Sequence, residues 1–160
     1  MKILGIDPGS KIIGYGLIKK QEDSIIPLNY GVIKVKDDER PLLELYSKFN
    51  ELIDELKPDI VAIESLFFFK NAKTIINVSQ SRGVLMLVIE SKNIPCYQYT
   101  PLQIKQAIFG YGRAEKKDIG MMVQHIFELD KIPKPDDAAD GLAAAYCAYV
   151  SLFSQDQLIS

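Results

Sequence analysis

Residues 3–18 read "ILGIDPGSKIIGYGLI". The apolar run 3–6 has the composition of a buried strand, and it ends on a carboxylate, Asp7. Pro8 and Gly9 stop that strand, and a second strand-like run opens after the short "PGSK" connection. Two β-runs joined so closely form an antiparallel hairpin. A buried strand could stop on Ser or Asn without holding an ionised group near the core. Asp7 therefore poses a choice between a phosphate loop, a metal ligand and an ordinary turn aspartate.

Working outward, "IIPLNYGVIKV" (25–35) is a third β-rich run. From Pro41, Leu42, Leu45, Tyr46, Phe49, Leu52, Ile53 and Leu56 fall at helical spacing. "DIVAIE" (59–64) follows Pro58 as a short buried-type strand that again ends on a charge, Glu64. A long helix is expected over about 72–91, with Gly83 weakening its middle. "PCYQYT" (95–100) reads as a fifth strand, and helices are expected near 101–109, 116–128 and 136–153. The order is β-β-β-α-β-α-β-α-α-α. A hairpin followed by alternating elements implies an α/β fold: a mixed five-stranded sheet with helices on both faces. That order fits a ribonuclease H-like architecture better than a doubly wound nucleotide-binding sheet.

At 160 residues, with 48% hydrophobic and 25% charged residues, the chain is expected to form one domain spanning 1–160, and disorder is excluded. No apolar run approaches the roughly 18 residues a bilayer span needs, and the N-terminus lacks a signal-peptide pattern. Cys96 and Cys147 lie far apart with no metal-binding spacing, and they read as buried, reduced thiols of a cytoplasmic protein. The net charge is only −2, yet residues 65–117 carry +6. Such polarity suits either a basic face for a polyanion or a set of solvated helix faces.

Four carboxylates need explaining together. If the strands ending on Asp7 and Glu64 are neighbours, those groups sit about 5 Å apart, at the strand ends where open α/β sheets bind ligands. In "KPDDAADGLAAAY", Asp137 and Asp140 are three apart and share one helix face. Converging carboxylates repel, and bound cations resolve the repulsion. An all-oxygen set favours Mg²⁺ or Mn²⁺, and two such ions would serve phosphodiester hydrolysis. Asp136 stands where acids favour a helix start, and its spacing from Asp140 also permits a pair. His125, among apolar residues of an expected helix, reads as structural.

The runs "ILGIDPGS", "GYG", "AIE", "FFFKNA", "QSRGV", "AEKK" and "DAADGLA" carry a resemblance over essentially the full chain. In this order and spacing the sequence resembles the RuvC-type Holliday junction resolvases, the bacterial crossover junction endodeoxyribonucleases. The resemblance implies that Asp7, Glu64, Asp137 and Asp140 are the metal-binding catalytic tetrad; some members have histidine where this chain has Asp137. It implies that Phe67 meets DNA near the junction centre, with Phe68 and Phe69 competing for that role. Lys105 and Lys116 match basic residues that contact phosphate near the cut, and Tyr111 and Arg113, in "GYGRAEK", are expected beside the DNA. Also implied are Mg²⁺ (two ions per site, Mn²⁺ substituting), four-way junction DNA as substrate, and 5′-phosphate and 3′-hydroxyl products. The expected partners are a second copy, docked partly through the helix near 72–91, and the RuvA–RuvB branch-migration machinery. Three other readings remain. "GIDPGSKIIGYG" also resembles the first phosphate loop of actin-like ATPases, which require a second domain. A related nuclease of the same fold trims ribosomal RNA precursors. The third is a junction-binding module without chemistry.

Overall fold

The computed structural model describes residues 1–22, 24–66, 71–110 and 116–153, without the side chains of residues 116 and 117. The expected element order is observed: β1 (Lys2–Asp7), β2 (Ile12–Lys20), β3 (Ile25–Lys34), α1 (Pro41–Leu56), β4 (Ile60–Glu64), α2 (Ala72–Ser91), β5 (Cys96–Tyr99), α3 (Pro101–Phe109), α4 (Lys116–Ile126) and α5 (Asp136–Phe153). The sheet runs β3-β2-β1-β4-β5. β1, β2 and β3 form an antiparallel meander, and β4 and β5 add in parallel to β1. The fold class is the expected α/β, ribonuclease H-like mixed sheet.

Strand alternation sorts the apolar residues onto two faces. Leu4, Ile6, Ile13, Leu17, Val61 and Ile63 join Leu45, Phe49 and Ile53 of α1 and Leu85, Val88 and Ile89 of α2 in one core. Ile3, Ile18, Ile60 and Ala62 join α3, α4 and α5 in the other, where α5 contributes Leu142, Ala143, Ala144, Ala145, Cys147 and Ala148. On this second face a helix backbone lies almost against the sheet. A Cβ on Gly5 would collide with the backbone of Gly141 and Ala145, and one on Gly14 with that of Asp137. Glycines on the strands and alanines on the helix are what permit so close an approach.

Details of the helices differ from the sequence reading. The buried stripe of α1 is Leu45, Phe49, Ile53 and Leu56, whereas Leu42 and Tyr46 lie on its exposed border. α4 stops at Ile126 rather than 128. Glu128 is left-handed (φ 51°), its N–H bonds to His125 O, and Leu129 N–H bonds to Gln124 O. Those two bonds form the paired closure that ends many helices. His125, read from the sequence as structural, is exposed on the last turn of α4 and lines a shallow groove with Met121, Gln124, Glu128 and Leu129. Both cysteines are free. Burial pushes the Cys147 thiol up to about 12 and the half-buried Cys96 thiol up to about 11, which leaves them inert. Among the described residues no helix is long and apolar enough to cross a membrane.

Candidate active site

The parallel pairing of β1 with β4 builds the site. Its register runs Ile3↔Ile60, Leu4↔Val61, Gly5↔Ala62 and Ile6↔Ile63, so Asp7 and Glu64 are the next residues of the two strands. Adjacent strands lie about 4.8 Å apart. Alternation turns both side chains to the face covered by α5, because Gly5 and Ala62, two residues earlier, face the same way. A strand that must stop at this edge can end on a charge, since the edge is a cleft.

α5 crosses the same edge. The backbone of Asp137 lies over Gly14, which pairs with Asp7 in the β1–β2 hairpin. One turn further on, Asp140 joins Asp7 and Glu64 in lining a cavity of about 190 Å³. The remaining described lining is Pro101, Ile104 and Lys105 from α3 and Ile119 from α4. Asp137 is half-buried in the first turn of α5 but does not line this cavity. Asp136 is exposed and pairs with Lys134 at 2.8 Å, in keeping with a helix-start role.

Local structure fixes these positions. Ser65 donates its N–H (2.8 Å) and its Oγ hydrogen (3.2 Å) to Tyr99 O, tethering the chain just after Glu64 to β5. α3 begins at a capping box: Thr100 Oγ1 accepts from Gln103 N–H (3.2 Å), and Gln103 Oε1 accepts from Thr100 N–H (2.8 Å). Pro101 opens the helix, and Lys105 follows in its second turn, half-buried at the cavity.

Of the expected site residues, the structure thus brings Asp7, Glu64, Asp140 and Lys105 to one cavity and places Asp137 beside it. Phe67, Phe68, Phe69, Tyr111, Arg113 and the Lys116 side chain lie outside the described residues; the backbone of Lys116 opens α4. Part of the basic central segment serves packing instead: Lys92 pairs with Asp54 at 2.6 Å, and Arg82 donates to Gln98. The sequence reading missed Pro101, Ile104 and Ile119. Nothing in their pattern separates them from ordinary core residues, although Pro101 and Ile104 share α3 with Lys105 and Ile104 directly precedes it.

Fit to a metal can be judged from the donors. Three carboxylates from β1, β4 and α5 share one cavity, which suits a hard divalent cation. Among the described residues no three His, Cys, Asp or Glu side chains already form a metal-holding group. The carboxylates supply the donor type without a closed coordination shell.

Fold and cleft together define a ribonuclease H-like protein with acids at the ends of its parallel strands. Comparison narrows the class: residues 3–148 match the profile of the crossover junction endodeoxyribonuclease RuvC family, and the chain belongs to that family. It is 51% identical over 150 residues to the crossover junction endodeoxyribonuclease RuvC of Petrotoga mobilis, covering 92% of each chain. The Syntrophomonas wolfei enzyme of the same name is 48% identical over 150 residues, covering 92% of this chain and 87% of the relative. Among solved structures, T. thermophilus RuvC in complex with Holliday junction substrate superposes with a TM-score of 0.87 at 28% identity, covering 96% of each chain. The yeast mitochondrial Holliday junction resolvase Ydc2 shares the fold, with a TM-score of 0.67 at 17% identity over 98% of this chain and 84% of that one.

Proposed function

We propose that this chain is a metal-dependent, structure-specific endonuclease that resolves four-way DNA junctions by paired symmetric phosphodiester hydrolysis, in recombination and repair. The observation that carries the reading is the in-register placement of Asp7 and Glu64 at parallel strand ends, with Asp140 of α5 on the same cavity. Family membership and the junction-bound T. thermophilus relative support the substrate. Neither a ribosomal RNA nuclease nor a module without chemistry is favoured by these comparisons.

Asp7, Glu64, Asp140 and the adjacent Asp137 would hold the divalent ion, Mg²⁺ or Mn²⁺, two to a site. When bound, such ions activate water for attack on phosphorus and neutralise charge on the departing oxygen. The protein's own work is to hold these carboxylates rigidly. β1 and β4 fix two by backbone pairing, and α5, seated on glycines, fixes the others. Lys105 supplies a fixed positive charge that anchors the phosphate and stabilises charge developing on it. Cleavage leaves a 5′-phosphate and a 3′-hydroxyl. Phe67 and Lys116 are assigned to DNA contact on the resemblance alone.

Two symmetric cuts call for a two-fold dimer. On α2, Ile76 (56% exposed) and Leu87 (58% exposed) lie on one side with the open Gly83 between them, and this is the surface proposed for the second copy. A Leu87→Glu variant is expected to sediment as monomer while remaining folded. Action in the cytoplasm beside the RuvA–RuvB machinery belongs to the same reading.

The decisive experiment is cleavage of a synthetic mobile four-way junction with Mg²⁺ present or chelated. Wild type should give paired symmetric nicks. Asp7→Asn and Asp140→Asn should lose about a thousandfold or more in rate while still binding the junction. Absence of cleavage by wild type across metals and junction sequences would sink the reading.

A further inference from the structure

The acids and Lys105 account for only part of the cavity. Pro101, Ile104 and Ile119 form the rest of its described wall, and they come from α3 and α4 rather than from the elements that carry the acids. Ile104 and Ile119 are 5% and 6% exposed and belong to the core beneath α5, so packing holds them and only an edge of each meets the cavity. Among the described lining residues none has a neutral hydroxyl or amide side chain. Three of the four first-turn positions of α3 offer no free N–H. Pro101 has no N–H, Gln103 N–H is capped by Thr100 Oγ1, and Ile104 N–H bonds to Thr100 O.

We propose that Pro101, Ile104 and Ile119 are specificity-determining residues, an apolar wall that selects deoxyribose over ribose at the cut. The inference rests on the nuclease reading above. A phosphodiester reaching the carboxylates and Lys105 carries a sugar on either side, only a few bonds from phosphorus. One of these sugars lies, on this proposal, against the remaining described wall of the cavity of about 190 Å³. A C2′ methylene loses nothing there. With the carboxylates taken up by the cation and Lys105 by the phosphate, a 2′-hydroxyl gives up water and meets no further polar side chain among the described lining residues, the arrangement that makes a buried polar group unfavourable. Apolar pockets reject an added hydroxyl only moderately, so the expected discrimination is about 10–100-fold in rate.

The test uses four-way junctions that differ only at the nucleotides flanking the cut, which carry 2′-H, 2′-OH or 2′-F. Cleavage is followed in single turnover at saturating enzyme with Mg²⁺. The fluorine shares the ribose-like pucker preference of the hydroxyl but makes no comparable demand for hydrogen bonds. Both substituents withdraw electrons and would, if anything, speed departure of the 3′-oxygen. At one flanking position the 2′-OH junction should be cut about 10–100-fold more slowly than the 2′-H junction, with 2′-F close to 2′-H. Ile104→Thr or Ile119→Thr, which bring a hydroxyl to the wall, should recover most of that loss. Ile104→Val, which adds space without a polar atom, should not. Equal cutting of the 2′-H and 2′-OH junctions overturns the proposal, as does a 2′-F junction cut as slowly as 2′-OH, because the effect would then be pucker. If a threonine variant fails to fold by thermal melt, the wild-type comparison of the three substituents decides alone. Failure of wild type to cut the all-deoxy junction would instead overturn the nuclease reading, and this inference with it.

Discussion

The two faces of the sheet are packed by opposite means. Under α1 and α2 the contact is made by large side chains, with Leu45, Phe49, Ile53, Leu85 and Ile89 filling the space between helix and strand. Under α5 it is made by glycine and alanine, and the backbones nearly touch. Large interdigitating side chains bury the most apolar area and tolerate small adjustments of the helix. A helix resting on glycine has far less freedom to slide, because each displacement meets backbone. The difference teaches that one face supplies bulk stability and the other supplies position. The acids of the cleft all project from the second face, where position matters to the chemistry proposed for them.

This division can be broken by exchanging costs between the faces. Phe49 is fully buried at the centre of the α1 core. Phe49→Ala should destabilise by about 3–5 kcal/mol in denaturant titrations. Junction cleavage per folded molecule, measured well below the melting temperature, should change little. A large loss of specific activity from Phe49→Ala would show that the two faces are not separable.

Gly14→Ala is the complementary change. Its Cβ would meet the backbone of Asp137, so α5 must shift at the turn that carries Asp137 and precedes Asp140. The expected loss of stability is smaller, about 1–3 kcal/mol, as for other overpacked sites. The loss of cleavage by the folded protein should exceed the near-zero effect of Phe49→Ala. Activity that simply tracked folded fraction in both variants would erase the distinction.

The fold was legible because its signals are local and agree with one another. Strand ends marked by Asp7-Pro8-Gly9 and by Glu64, a proline-opened helix at 41 and an alanine-rich helix after residue 136 gave the element order without tertiary information. The hairpin fixed the pairing of β1 with β2, whereas the adjacency of β1 and β4 entered the sequence reading only as a condition, which the register of the two strands meets. What stayed hidden was of a different kind. Ile104 and Ile119 look like core residues because they are core residues, and only the arrangement of α3 against α4 brings an edge of each to the cleft. Leu42 and Tyr46 sit within the apolar spacing of α1, yet both lie on the border of its buried stripe and stay exposed. The end of α4 turns on a left-handed Glu128, a backbone choice with no strong sequence signal. Asp137 and Asp140 share a helix face by spacing, yet of the two only Asp140 lines the cavity, and spacing cannot report that.

The smallest predicted effect sharpens the contrast from the α1 side. Glu44, in the first turn of α1, accepts from Lys48 Nζ at 2.6 Å, from Asp37 N–H at 2.7 Å and from Lys36 N–H at 2.8 Å, tying the chain after β3 to the helix. The Lys48 hydrogen bond first, then that from Asp37, holds its carboxyl at about 2, below an ordinary value of 4.5. A carboxyl with a depressed folded pKa stabilises the fold at pH values above its unfolded pKa. That contribution is lost as pH falls through the interval from 4.5 to about 2. Wild type should therefore lose stability through this window more steeply than Glu44→Gln, with the gap between their denaturation midpoints closing as acid is added. Near neutral pH the variant should be modestly less stable and should cut junctions at the wild-type rate, because the anchor lies on the face that supplies stability alone. Parallel acid limbs for the two proteins would remove Glu44 from the account, and a changed cleavage rate would mean that the α1 face also sets the geometry of the cleft.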